Sequence, residues 1–125
     1  MTSPTVDRRY GVVGGIALKA PCRVASTGNL TLSGEQTING VAVVSGDRVL
    51  VKDQTTASSN GIYDADTSSW TRALDCDGNY DIRKGTLVYV TGGTSVGKGL
   101  WTVTTTDPIT VDTDNIAFAA VLLTT

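Results

Sequence analysis

Residues 75–81, Asp-Cys-Asp-Gly-Asn-Tyr-Asp, place oxygen-bearing side chains at alternate positions: Asp75, Asp77, Asn79 and Asp81. A calcium loop opens with such an alternation. Here, however, glycine stands at the fourth position rather than the sixth, and Thr86 stands where a bidentate glutamate would close the loop. The run reads as a solvated acidic turn, and no metal is expected. Residues 92–98, GGTSVGK, fit the G-x-x-x-x-G-K spacing of a phosphate-cradling loop. The next residue is Gly99 rather than the Ser or Thr that would hold magnesium, and residues 100–105 read as a strand where a helix is required. This segment is expected to be a glycine-rich hairpin tip. The chain has no histidine, which removes the usual general base and most zinc sites. Cys76 lies between Asp75 and Asp77, whose charge disfavours a thiolate nucleophile. Eleven aspartates and the single Glu35 offer no selected carboxylate pair. The chain is therefore expected not to be an enzyme and to carry no cofactor.

Tyr63, Trp70, Tyr80, Tyr89 and Trp101 could stack on sugars, but most fall at alternating strand positions where core packing is the default. Tyr80, in the acidic turn, is the one expected to be exposed. Tyr80, Asp77 and Asn79 are the candidate glycan contacts.

The elements that must position these residues are strands. Twenty threonines and 14 glycines, beside one glutamate and four lysines, favour pleated sheet and turn over helix. Short strand patterns follow one another at 29–32, 36–38, 41–44, 47–52, 61–65, 69–74, 86–91, 100–105, 109–111 and 116–123. Asn39-Gly40 and other polar turns separate them, and one short helical turn fits 77–83. Residues 46–52, GDRVLVK, echo residues 85–91, GTLVYVT, and Gly-Ile-Tyr at 61–63 echoes Gly-Leu-Trp at 99–101. Two similar hairpins follow, with Val49, Val51, Val88 and Val90 facing the core. The fold class is all-β, a compact antiparallel sandwich or barrel-like domain.

At 125 residues the chain is read as one β-domain, 21–125, preceded by an arm, 1–20, without clear periodicity. Arg8, Arg9, Tyr10, Val12, Val13 and Ile16 are its candidate anchoring residues. The C-terminal run IAFAAVLLTT is apolar on both alternating faces, which predicts burial on both sides and hence a neighbouring subunit. The net charge of −2 and the lack of clustered basic residues exclude nucleic acid as the main partner. No apolar run is long enough to span a membrane, and no secretory signal is read, so synthesis in a cytosol is expected. In that reducing compartment Cys22 and Cys76 read as free, packed thiols; oxidising conditions outside the cell would permit them an intrachain or interchain disulfide.

The blocks KAPCRVA (19–25), NLTLSG (29–34), QTINGV (36–41), GDRVLVKDQ (46–54), NGIY (60–63), WTRA (70–73) and KGTLVYV (84–90), with Trp101 and residues 105–109, resemble in their order a β-rich module of tailed-bacteriophage and prophage virion proteins. The resemblance covers roughly residues 19–118. It implies a structural role in a tail fibre, head fibre or decoration protein, assembly as a homotrimer, contact with other virion proteins, and location in a virion made in the bacterial host cytoplasm. It carries no motif of catalytic residues. Here the module has only an arm and a short tail added, which favours a compact appendage over a complete receptor-binding fibre. The alternative is a carbohydrate-binding adhesion module that contacts host surface polysaccharide.

Overall fold

The computed structural model describes residues 18–121, and within them the chain is all-β. Nine strands form three sheets. The central sheet contains β1 (Val24–Ala25), β4 (Arg48–Val51), β5 (Gly61–Asp64) and β6 (Thr71–Arg72), in that spatial order. β2 (Gln36–Ile38) and β3 (Val41–Val43) form a separate hairpin, and β7 (Leu87–Val90), β8 (Gly99–Val103) and β9 (Phe118–Ala120) form a third sheet. The sheets do not close into a barrel.

Alternation along the strands explains how three small sheets share one body. On β4, Val49 and Val51 join Val24, Ile38, Val43, Tyr63 and Trp70 in one hydrophobic cluster. Leu50, between them, joins Ala25, Ile62, Val88, Val90 and Val103 in another. Successive strand residues point to opposite faces, so the central sheet has a core on each face. The β2–β3 hairpin supplies the first core and the third sheet supplies the second. The echoed valines at 49, 51, 88 and 90 are all buried, as the periodicity predicts, but the two pairs face different cores.

The β2–β3 turn follows from its residues. Asn39 at φ 48° and Gly40 at φ 83° both occupy the left-handed region that a tight two-residue hairpin turn requires. Ile38 pairs with Val41 directly across it.

The structure corrects several expectations. The sheets are not wholly antiparallel, because β1 runs parallel to β4, and Leu18 and Cys22 bridge in parallel to Leu87 and Val90. Residues 18–20, assigned to the arm, thus lie along the edge of β7, with Lys19 buried. The anchoring candidates Arg8, Arg9, Tyr10, Val12, Val13 and Ile16 lie outside the described residues. Segments 29–32 and 109–111 form no strand: Gln54 holds the Leu30 backbone through its side chain, and Val111 donates its N–H to Asn79. The helical turn falls at Leu74–Cys76, earlier than 77–83, as a 3-10 turn. β9 lies at a sheet edge, paired only with β8; Ile116 and Phe118 face the core whereas Ala117 and Ala120 are exposed. Within one chain it is covered on one side.

Candidate functional site

The acidic run 75–81 is built by local bonding. β6 ends at Arg72, and the chain turns through Leu74–Cys76 with Cys76 N donating to Ala73 O at 2.9 Å. The oxygens that alternate in sequence diverge in space. Asp75 accepts two hydrogen bonds from the Arg48 guanidinium, at 2.8 and 2.7 Å. Asp81 turns back to accept from the backbone N–H groups of Asp77 and Gly78. Asn79 Oδ1 accepts from Val111 N at 2.8 Å, and Asp77 faces solvent. Among the described residues no group of three or more His, Cys, Asp or Glu side chains is placed to hold a metal. Asp81 and Asn79 brace backbone segments, and Asp75 braces the Arg48 side chain.

Bracing the turn opens a cleft of about 660 Å³ against the loop between β8 and β9, lined by Asn79, Tyr80, Ile82, Arg83, Asp107, Pro108 and Ile109. Ile82 and Ile109 form its apolar base, each 3% exposed and continuous with the core. Tyr80 stands at its rim, 91% exposed. Asp107 Oδ1 accepts from Lys84 N at 2.8 Å, and its Oδ2 lies 3.8 Å from Arg83 Nε. That separation allows Coulombic attraction but is too long for a hydrogen bond. Of the three candidate glycan contacts, Asn79 and Tyr80 line this cleft, while Asp77 is exposed on the same turn.

Trp70, Trp101 and Tyr63 serve the framework. Trp70 Nε1 donates to Gly34 O, Trp101 Nε1 to Gly97 O, and Tyr63 Oη to Ser59 O. Lys52 Nζ lies 4.3 Å from the Trp101 ring centre. Tyr89 is 45% exposed on the outward face of the third sheet.

Cys22 and Cys76 are free and buried in the same cluster. Burial pushes the Cys22 thiol up to about 12, further than the nearby Arg48 can pull it down. Burial likewise raises Cys76, against the opposing pull of its backbone hydrogen bond. Both are therefore held as neutral thiols. Burial acts to raise Asp75, but the Arg48 hydrogen bonds and charge outweigh it and hold the carboxyl below its ordinary value.

The G-x-x-x-x-G-K segment links β7 to β8 and leads into a strand at Gly99. It docks on the β2–β3 turn: Thr94 Oγ1 donates to Asn39 Oδ1 at 2.7 Å. A Cβ at Gly97 would lie 2.8 Å from Asn39 Nδ2, and one at Gly92 would lie 2.6 Å from Arg23 O. These glycines permit close packing between backbone segments.

Sequence reasoning missed Ile82, Arg83, Asp107, Pro108 and Ile109 as parts of a common cleft. The only local signal was Asp107-Pro108 as a turn, and nothing in the spacing joins it to residues 79–83. No family model matches the chain, and no curated protein or solved structure matches it.

Proposed function

We propose that this chain is a non-enzymatic structural component of a tailed-phage virion. In this reading it is a small homotrimeric fibre or decoration protein, a sandwich-like β-domain attached to head or tail through its N-terminal arm. The observation that carries the assembly reading is the outward face of the third sheet. The pairings Leu87–Thr102, Tyr89–Leu100 and Thr102–Ala119 put these side chains on one face. Val121 continues that face beside Leu100, and Leu18 joins it beside Leu87. None of these named positions is charged, and Leu18 and Tyr89 among them are exposed at 58% and 45%. An uncharged apolar sheet face that ends in the open edge of β9 is the kind of surface a neighbouring copy covers.

The resemblance supports the particle and the number three, and the uncharged positions on this face support contact between copies. Light scattering on the size-fractionated full chain is expected to give a trimer, and Tyr89→Arg with Leu100→Glu is expected to give a folded monomer. Deleting residues 1–17 leaves the buried Lys19 in place and is expected to abolish incorporation into particles. A monomeric wild-type chain, or normal incorporation of the truncated one, would defeat the proposal.

A further inference from the structure

We propose that the cleft between the 77–83 turn and residues 107–109 is a binding site for a neutral saccharide. Its volume, about 660 Å³, falls within the roughly 300–1,000 Å³ of small-molecule sites. Its components are those a pyranose ring requires. Tyr80 offers an apolar ring face that the fold itself leaves unused, since the residue is 91% exposed. A sugar's C–H face can stack there and remove that surface from water. Pro108, Ile82 and Ile109 give an apolar base beneath it.

Polar selectivity would come from Asp107 and Arg83. Their 3.8 Å separation leaves room for neighbouring hydroxyls to bridge them, one donating to the carboxylate and one accepting from the guanidinium. The Asn79 amide adds donors. Its Oδ1 is committed to Val111 N, so the Nδ2 end is the one left to turn towards a ligand.

Both lips are held before any ligand arrives. Asp81 ties the backbone at Asp77 and Gly78, and Asp107 ties Lys84 N. A site fixed in advance loses less conformational freedom on binding. The charge balance sets the ligand class. Arg83 and Asp107 are the charged residues of the lining, one of each sign, so the cleft carries no net charge to attract an anionic sugar and suits a neutral one.

The inference stands apart from the virion reading, because it is tested on the isolated full-length chain. Saturation-transfer NMR is run with neutral probes (isomaltohexaose, mannohexaose and a galactan hexamer) and with acidic ones (oligosialic acid and oligogalacturonate). Transfer to at least one neutral probe and to neither acidic probe is expected. Tyr80→Ala is expected to weaken that binding about tenfold or more, whereas Tyr80→Phe keeps it within about threefold. Asp107→Asn and Arg83→Gln should each weaken it, and Tyr89→Ala, on the distant sheet face, should leave it unchanged. Thermal melting verifies that each variant is folded. The proposal fails if no neutral probe shows transfer at ~10 mM, a concentration that would detect even millimolar affinity. It fails equally if acidic probes alone bind, if folded Tyr80→Ala binds as wild type, or if Tyr89→Ala loses binding to the same extent.

Discussion

Arg48 is the residue whose replacement most directly tests the account of this fold. It sits on β4, facing the core that holds Cys22, Leu50 and Cys76, and its side chain is 19% accessible. Three segments meet on its guanidinium. Two nitrogens reach Asp75 on the 3-10 turn, and Nε donates to Ala20 O at 3.0 Å on the segment beside β7. Hydrogen bonds to charged groups contribute about 1.5–3 kcal/mol each when buried. The Asp75 side chain is 39% accessible and can rehydrate, so about half of that is retained for the fork, roughly 2 kcal/mol. The bond to Ala20 adds about 1 kcal/mol. Arg48→Met is therefore expected to destabilise by about 3 kcal/mol, and Arg48→Lys, which keeps the charge but not the planar fork, by about 1.5 kcal/mol. Urea unfolding followed by Trp70 and Trp101 fluorescence, at one protein concentration because assembly would shift the midpoint, measures both. The pH dependence is a second reading. The folded Asp75 carboxyl is held below its ordinary value, so the contribution of the pair is present above the unfolded pKa of about 3.9 and is lost as pH falls through the lower folded value. Arg48→Met should lose that acid-side slope. The reasoning is refuted if both variants unfold within about 0.5 kcal/mol of wild type, the range of an indifferent surface substitution.

Gly92→Ala is expected to cost about 2 kcal/mol in the same assay, because its Cβ would lie 2.6 Å from a backbone oxygen, whereas Gly28→Ala, with nothing within 4 Å, should change little. Asn60 donates to Ile116 O and accepts from Gln54 N, so Asn60→Asp, which keeps the acceptor and removes the donor, should cost about 1–3 kcal/mol in urea unfolding. Both thiols should resist an aromatic disulfide reagent at pH 8 in the folded chain and react at once in denaturant, and prompt reaction of either when folded would show that the core is open. With Cys22 pushed up to about 12, stability is expected to decline as pH rises from the unfolded thiol value of about 8.5 through the folded one, and Cys22→Ala should flatten that alkaline limb.

The strands legible in the sequence are those with a strict period of two and a turn at each end. Arg48–Val51 and Leu87–Val90 fall within their expected ranges because alternate valines must be buried together. Val24–Ala25 was not legible. Two residues make no periodic pattern, and their strand character comes from a parallel partner that is distant in sequence. Residues 29–32 fail for the opposite reason. They alternate well, but the Gln54 side chain takes up the Leu30 backbone groups that a strand neighbour would use. At the cleft, exposure of Tyr80 could be read from its polar neighbours. Its partnership with residues 107–109 could not, because it depends on how the third sheet folds back on the central one.

The glycines at 92–98 show how one spacing can serve two kinds of close approach. A phosphate loop needs bare backbone so that anionic oxygens can come near its N–H groups. Here the approaching groups are the Asn39 side chain and the carbonyls of Arg23 and Ala25. Asn39 is in turn set by the left-handed turn it shares with Gly40, and it receives the Thr94 hydroxyl. The motif and the Asn-Gly hairpin are thus two halves of one contact, which joins the β2–β3 hairpin to the loop of the third sheet. That contact crosses the end of the central sheet beside β1, so it links the two elements that cover opposite faces of that sheet. A side chain added at Gly97 would meet both the hairpin and Ala25 O, which explains why this position is bare while the loop residues between Gly93 and Gly97 are exposed. Steric demand from a neighbouring segment accounts for the spacing without any ligand.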